Sequence, residues 1–496
     1  MTLEQLMERA IAGKAFDRKR MFRASNMYGL MKEPFGIWCD YFGPAGEKVK
    51  EEYRYDDILK QNGIEFENKW ISENYPGAVT IEPEWGEEAL ENTLKAMVEG
   101  AAAIHSASLW SLEDEIYGKA DLLVRRDDLS SDLGEYYYQV KEIKRASVIR
   151  DHHSMQAILY NRILGKLQGY TPPAVSVVLP EREGVVHYED FSARLGELLG
   201  RWRSIRDGRF KPEPGGLDKV DSPWRVYANK ILVENRDLTL LPDVGPATRE
   251  KLRLELGVRR IDDLYQIGAE ILKKLFEDKL GTSIYYHARA YREGKPVIVP
   301  GKTLAFPRRK RHLYFDFETS GDLHPEEPEH CYLVGLWDAE EGKYIPFLAK
   351  GSAEEQKIFR SFIEYAGNPA DACLYHWSDY EVRILEDISA RWPELAGGLE
   401  ALKQSCIDLK EVIKQQVYLP VPTYSIKSVA PFLGFNWRQK DVDALESMVL
   451  YWDYLKGDEQ AVKKAVDYNE DDCRAMAYSD FKICQMFGLS FPGKNS

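Results

Sequence analysis

The residues best placed to do chemistry lie in the C-terminal third. They are Asp316 and Glu318 in "LYFDFETS", an acid at Glu381 or Asp379 in "YHWSDYEVRIL", and Tyr468 with Asp472 in "VDYNEDDCRA". Asp316 and Glu318 are two apart in an apolar, aromatic run that reads as a buried strand, so both project from one face. Buried together, two carboxylates repel, and one takes a proton unless cations neutralise them. Magnesium or manganese suits that role. Tyr468 and Asp472 are i, i+4 in a helical segment and stack on one helix face, where a phenol beside a metal carboxylate can orient an attacking water. With 81 Asp and Glu among 496 residues, any one of these spacings also describes a solvated face. Four acids in order, each in its expected element, set this region apart.

This arrangement resembles the DEDD exonucleases of the ribonuclease-H-like fold, and the Tyr468-x-x-x-Asp472 ending resembles their tyrosine branch. The resemblance implies two metals held by Asp316, Glu318, Glu381 and Asp472, with hydrolysis of phosphodiester bonds from the 3′ end. The middle motif departs from the family's His-Asn-x-x-Phe-Asp: His376-Trp377-Ser378-Asp379-Tyr380-Glu381 puts Glu381 in the catalytic aspartate's place, with Asp379 as the alternative ligand. The stretch "CIDLKEVIKQQVYLPVPTYSIKSVAPFLGFNW" is similar to a bacterial and archaeal branch often fused to RecB-like domains. On that likeness Asp408 and Lys427 line the substrate groove.

A second constellation lies upstream. "GKADLLVRR" reads as a strand carrying Asp121, and "YYYQVKEIKRA" as a strand with Glu142 and Lys144 on one face. A following helix carries Gln156 and Tyr160 at i, i+4. Asp…Glu-x-Lys with a Gln-x-x-x-Tyr helix resembles the PD-(D/E)xK fold of RecB-like nucleases. There, Asp121 and Glu142 would hold magnesium and Lys144 would polarise the nucleophile or steady the phosphate. A rival register, Gln139-Val140-Lys141, uses the opposite strand face and loses a carboxylate. His105, read as sitting on an alanine-rich helix, is either a further ligand of this site or structural.

Between the two, "LTLLPDVGPATREKLRLELGVRRIDDLYQIG" resembles a helix-hairpin-helix. Its turn at Gly245 would offer backbone N–H groups to a phosphate, with Thr248 and Lys251 close by. The alternative is a hairpin that only packs domains together.

The elements that must position these residues make an α/β chain. The expectation is a restriction-endonuclease-like mixed-sheet domain over 1–215, a helical helix-hairpin-helix region over 216–295, a linker over 296–309, and a ribonuclease-H-like domain over 310–496. The composition, 44% hydrophobic and 30% charged, is that of a globular protein, and no apolar run is long enough for a membrane span. With no signal-like N-terminus, the chain is expected to be cytoplasmic. Six scattered cysteines without CxxC spacing read as reduced thiols, so no iron-sulfur cluster is expected. The net charge of −14 opposes phosphate binding, but bound metals offset part of it, and the tracts "GKTLAFPRRKRH" and "LGRWRSIRDGRFK" are basic. The expected partner is nucleic acid, single-stranded DNA before RNA, in repair, recombination or defence. A non-enzymatic scaffold with decayed sites is the reading from another class. Protein partners are not legible.

Overall fold

The computed structural model describes residues 1–324 and 327–491. The chain folds as two compact units, Met1–Glu51 with Leu59–Asn229, and Glu52–Ile58 with Lys230–Ser496.

The first unit is built on a seven-stranded mixed sheet. Its middle strands, Ala103–Ser111, Ile116–Arg126 and Tyr137–Ile143, are antiparallel neighbours, and Ala174–Val178 then runs parallel to Tyr137–Ile143. That parallel step requires a crossover, which the helix Asp151–Gln168 supplies. The helix is buried along most of its length, with Met155, Ile158, Leu159, Ile163 and Leu164 packed into the main core of the sheet. The segment "AAAIHSASLW" is strand rather than helix, which corrects the expectation for His105. Alanine's helix preference is worth only a few tenths of a kcal/mol per residue, and pairing along Ile116–Arg126 outweighs it.

In the second unit a five-stranded sheet has the spatial order Lys343–Leu348, Cys331–Asp338, Arg311–Thr319, Ala372–His376, Cys406–Asp408. The first three strands alternate in direction, and the last two run parallel to the central Arg311–Thr319. Leu313, Phe315 and Phe317 enter a core with Phe359 and Phe362 of the helix Glu355–Ala366. Tyr314 faces the other way, into a core with Cys473, Met476 and Ala477 of the long helix Glu459–Met486. Asp316 and Glu318 share Tyr314's parity, so they emerge beneath that long helix.

Short helices precede this sheet, among them Pro246–Leu256, Ala269–Phe276 and Asp278–Glu293. The stretch expected to be a plain linker is tied down. Val297–Ile298 pairs with Val417–Tyr418, and Arg308 donates to both oxygens of buried Asp480 at 2.6 Å. Among the described residues no helix is long and apolar enough to cross a membrane.

Candidate active site

Asp316, Glu318 and Asp472 offer oxygens that all lie within 4.8 Å of one another. Strand and helix both follow from their sequences: the former is aromatic and wholly paired, while the latter is capped by Asp458 and buries Ala461, Ala465, Tyr468, Asn469, Asp472 and Met476 along one face. Burial, then the charges of Glu318, Asp472 and Glu381, push the Asp316 carboxyl well above its ordinary range. Burial and then Asp472 push Glu318 up to about 8. Asp472 is raised by burial, an effect opposed by Lys427, whose ammonium sits on Asp472 Oδ1 and over the rings of Trp437 and Tyr468 at 4.1 and 4.2 Å. One lysine therefore serves a cluster of acids, and the remaining charge calls for further cations. An all-carboxylate donor set fits a hard divalent ion such as Mg²⁺ or Mn²⁺.

Several supporting residues carried no signal in the sequence. Asn469, fully buried, donates to Asp316 Oδ2 at 2.8 Å and accepts from the Tyr344 hydroxyl at 2.8 Å. Gly335 lies opposite Asp316 in the ladder, and a Cβ there would stand 1.6 Å from Asn469 Oδ1. Ser447 bonds Glu318 and shares its hydroxyl with Tyr332 at 2.6 Å. Trp437 Nε1 donates to Asp472 Oδ1 at 2.6 Å.

Glu381 and Asp379 differ sharply in environment. Glu381, in the first turn of the helix Tyr380–Arg391, has a side chain 5% exposed, accepts from Ser378 Oγ at 3.0 Å, and lies near enough to raise Asp316. Asp379 precedes that helix with its side chain 79% exposed, beside Arg383. A cleft of about 600 Å³ is lined by Asp316 and Glu381 together with Asp243, Lys410, Lys414 and Ser425. Asp408 lies outside this lining; it caps the helix Leu409–Lys414 by accepting from Glu411 N. Tyr468 is buried, and the charges of Asp472, Glu318 and Asp316 add to that burial in holding its phenol protonated.

The first unit assembles its own cluster. Lys144 Nζ lies 3.0 Å from Asp121 Oδ2 and 2.9 Å from Glu142 Oε2, and the backbone N–H of Asp121 donates to Glu142 Oε1. The ladder between Ala103–Ser111 and Ile116–Arg126 skips the Ser106 and Asp121 pair, and Ser106 has φ 57°. The Asp121 N–H is thereby turned toward a carboxylate. Burial, then Asp121, pushes Glu142 up to about 8; burial lowers Lys144, but Asp121 and Glu142 more than offset it and hold the ammonium on. Gln156 Nε2 donates to the Tyr160 hydroxyl at 3.0 Å, and Tyr160 feels both acids. Lys141, of the rival register, instead pairs with Glu183 and stands over Trp70.

His105 does not join this cluster. It pairs with Leu122, whose side chain packs with Ile71 and Val124, and its Nε2 meets Glu67 at 3.2 Å on that same sheet face.

At the hairpin, Gly245 precedes the helix Pro246–Leu256 with open space where a Cβ would be, and Thr248 is half-buried in the first turn. Lys251 points elsewhere: Nζ donates to Leu275 O at 2.9 Å over the Phe276 ring. The basic tracts are likewise engaged internally. Arg309 donates to the carbonyls of Pro369 and Ala372, Arg311 to Asp338, Arg203 to Asp114 O and Glu115, and Arg209 to Asp207.

Residues 313–478 match the family model of the RNase H superfamily. No curated protein matches the chain. The match covers a third of the sequence and includes every acid of the C-terminal cluster, so the second unit carries an RNase H-like domain. Such a domain points to nuclease-type chemistry on nucleic acid with divalent metal.

Proposed function

We propose that the RNase H-like domain is a 3′–5′ exonuclease on single-stranded DNA. The observation that carries this reading is the convergence of Asp316, Glu318 and Asp472 on one point, with Glu381 lining the same cleft. Asp316, Glu318 and Asp472 would hold two Mg²⁺ or Mn²⁺ ions, with Glu381 contributing from the far wall. When bound, such ions lower the pKa of water and stabilise the charge of an in-line displacement. Asn469 fixes the Asp316 carboxylate, Ser447 fixes Glu318, and Trp437 with Lys427 fixes Asp472. Each acid thus enters the reaction already oriented. Tyr468, one helical turn before Asp472, is placed to orient the attacking water. The cleft's Lys410 and Lys414 offer phosphate contacts that position a strand without reading its sequence.

The close Asp121–Glu142–Lys144 cluster favours a second, RecB-like nuclease site in the first unit, with Gln156 and Tyr160 behind it. The hairpin at Gly245 is proposed to contact the backbone of the bound strand.

The test is degradation of 3′- and 5′-labelled single-stranded and duplex DNA and RNA with Mg²⁺ or Mn²⁺, comparing wild type, Asp316→Ala and Glu142→Ala. A metal-dependent ladder from the 3′ end of DNA, lost in Asp316→Ala and kept in Glu142→Ala, is expected. Cutting lost only in Glu142→Ala moves the chemistry to the first unit, and preference for the RNA strand makes the substrate RNA.

A further inference from the structure

The first unit holds a pocket of about 520 Å³ that none of the acids above lines. Its floor is aromatic: Trp110 and Tyr117 are nearly buried neighbours, paired across adjacent strands. Phe16 stacks on Trp110 with centroids 4.4 Å apart and meets Tyr117 edge-on at 5.2 Å. Trp85 forms a wall and is 39% exposed, although a tryptophan would ordinarily be covered. Flat rings around an open space of this size suit a flat aromatic guest.

Polar groups at the pocket narrow the choice of guest. The Trp110 indole N–H is buried and has no hydrogen-bond partner. Arg18 and Arg23 both line the pocket, and among the described residues neither has a carboxylate within ion-pair distance; the Arg23 guanidinium lies 4.6 Å over the Trp85 ring. This sets them apart from the arginines of the basic tracts, whose partners are internal. Two guanidiniums without a carboxylate partner, beside an aromatic slot, match a phosphate attached to a planar heterocycle. Glu87, at the rim, adds an acceptor for an exocyclic amine.

We propose that this pocket binds a nucleoside 5′-phosphate unit, its base against Trp85 and its phosphate on Arg18 and Arg23. The unit belongs either to a free nucleotide or to a single strand. The proposal does not depend on which cluster cuts.

The experiment is calorimetric titration of the full chain in EDTA, where no metal-dependent cutting occurs, with AMP, ribose 5-phosphate and short oligo(dA). Variants are Trp85→Ala and Arg23→Ala, at exposed or half-exposed positions. AMP should bind at least tenfold more tightly than ribose 5-phosphate, and Trp85→Ala should weaken it by roughly tenfold, the size of one base–aromatic stack. Oligo(dA) binding more tightly than AMP, with the same sensitivity to Trp85→Ala, assigns the pocket to a strand; equal affinities assign it to a free nucleotide. AMP no better than ribose 5-phosphate, or binding that Trp85→Ala and Arg23→Ala leave unchanged, overturns the proposal.

Discussion

Asn469 holds the geometry of the C-terminal acids through a single amide. It reaches Asp316 only because the strand position opposite that acid is Gly335. In Gly335→Ala the new methyl would overlap Asn469 Oδ1 and crowd the Tyr344 hydroxyl. Overpacking of this kind costs about 1–3 kcal/mol. We expect a lower melting temperature and a drop in nuclease rate of tenfold or more; an unchanged rate in a destabilised variant would remove Asn469 from the proposed catalytic machinery. Glu381 and Asp379 give a second contrast at this scale. Glu381→Gln should reduce cleavage by about ten- to a hundredfold, the scale of a lost metal-site partner, while Asp379→Asn should change it by less than about twofold; the reverse would put the middle ligand at Asp379. The acids themselves were legible from i, i+2 and i, i+4 spacing, because those periods are local. Asn469, Gly335 and Ser447 were not, because their roles arise from strand register and from docking of distant helices onto the sheet.

At the scale of elements, the helix Asp278–Glu293 is joined to the segment after Val417–Tyr418 by His287, whose Nδ1 lies 3.2 Å from Leu419 O among the rings of Tyr418 and Tyr424. Burial lowers its pKa from 6.5 to about 4, so the folded imidazole stays neutral where the unfolded one is protonated. The folded value is depressed, so its stabilisation is present above pH 6.5 and is lost as the pH falls towards 4. The loss amounts to about 3 kcal/mol at the lower end. Melting temperature measured from pH 7 to pH 4 should fall more steeply for wild type than for His287→Gln; parallel curves would show that His287 protonates freely in the fold. In this unit the strand of Asp316 and the long helix of Asp472 were legible, the one because it is continuously apolar and the other because it is strongly periodic. "AAAIHSASLW" misled because its alanines favour a helix weakly, and only its partners in the sheet make it a strand. Lys251 and the arginines of "FPRRKRH" read as free charge, since nothing local reveals the carbonyls and carboxylates that occupy them.

Those internal pairings matter at the scale of the whole molecule. A chain with net charge −14 repels a polyanion at long range, and arginines that might have drawn it in serve as braces between elements. Binding of a single strand should then rest on a few short-range contacts, chiefly the cleft lysine Lys410, since Lys414 is shared with Asp243 at 3.5 Å. Each phosphate contact contributes about −0.7 to the slope of log K against log salt for a single strand. The slope for an oligonucleotide bound in Ca²⁺, which supports binding in place of the catalytic ion, should be shallow, about −1 to −3. Lys410→Ala should reduce its magnitude by about 0.7, while Lys310→Ala, from the basic tract and paired with Asp371 at 2.8 Å, should leave it unchanged. A slope steeper than about −5, or one that responds to Lys310 and not to Lys410, would mean that the strand follows the basic tracts instead of the cleft. On the proposed reading, a shallow slope would mean a strand held by few phosphates, which suits trimming at a free end better than coating of duplex DNA.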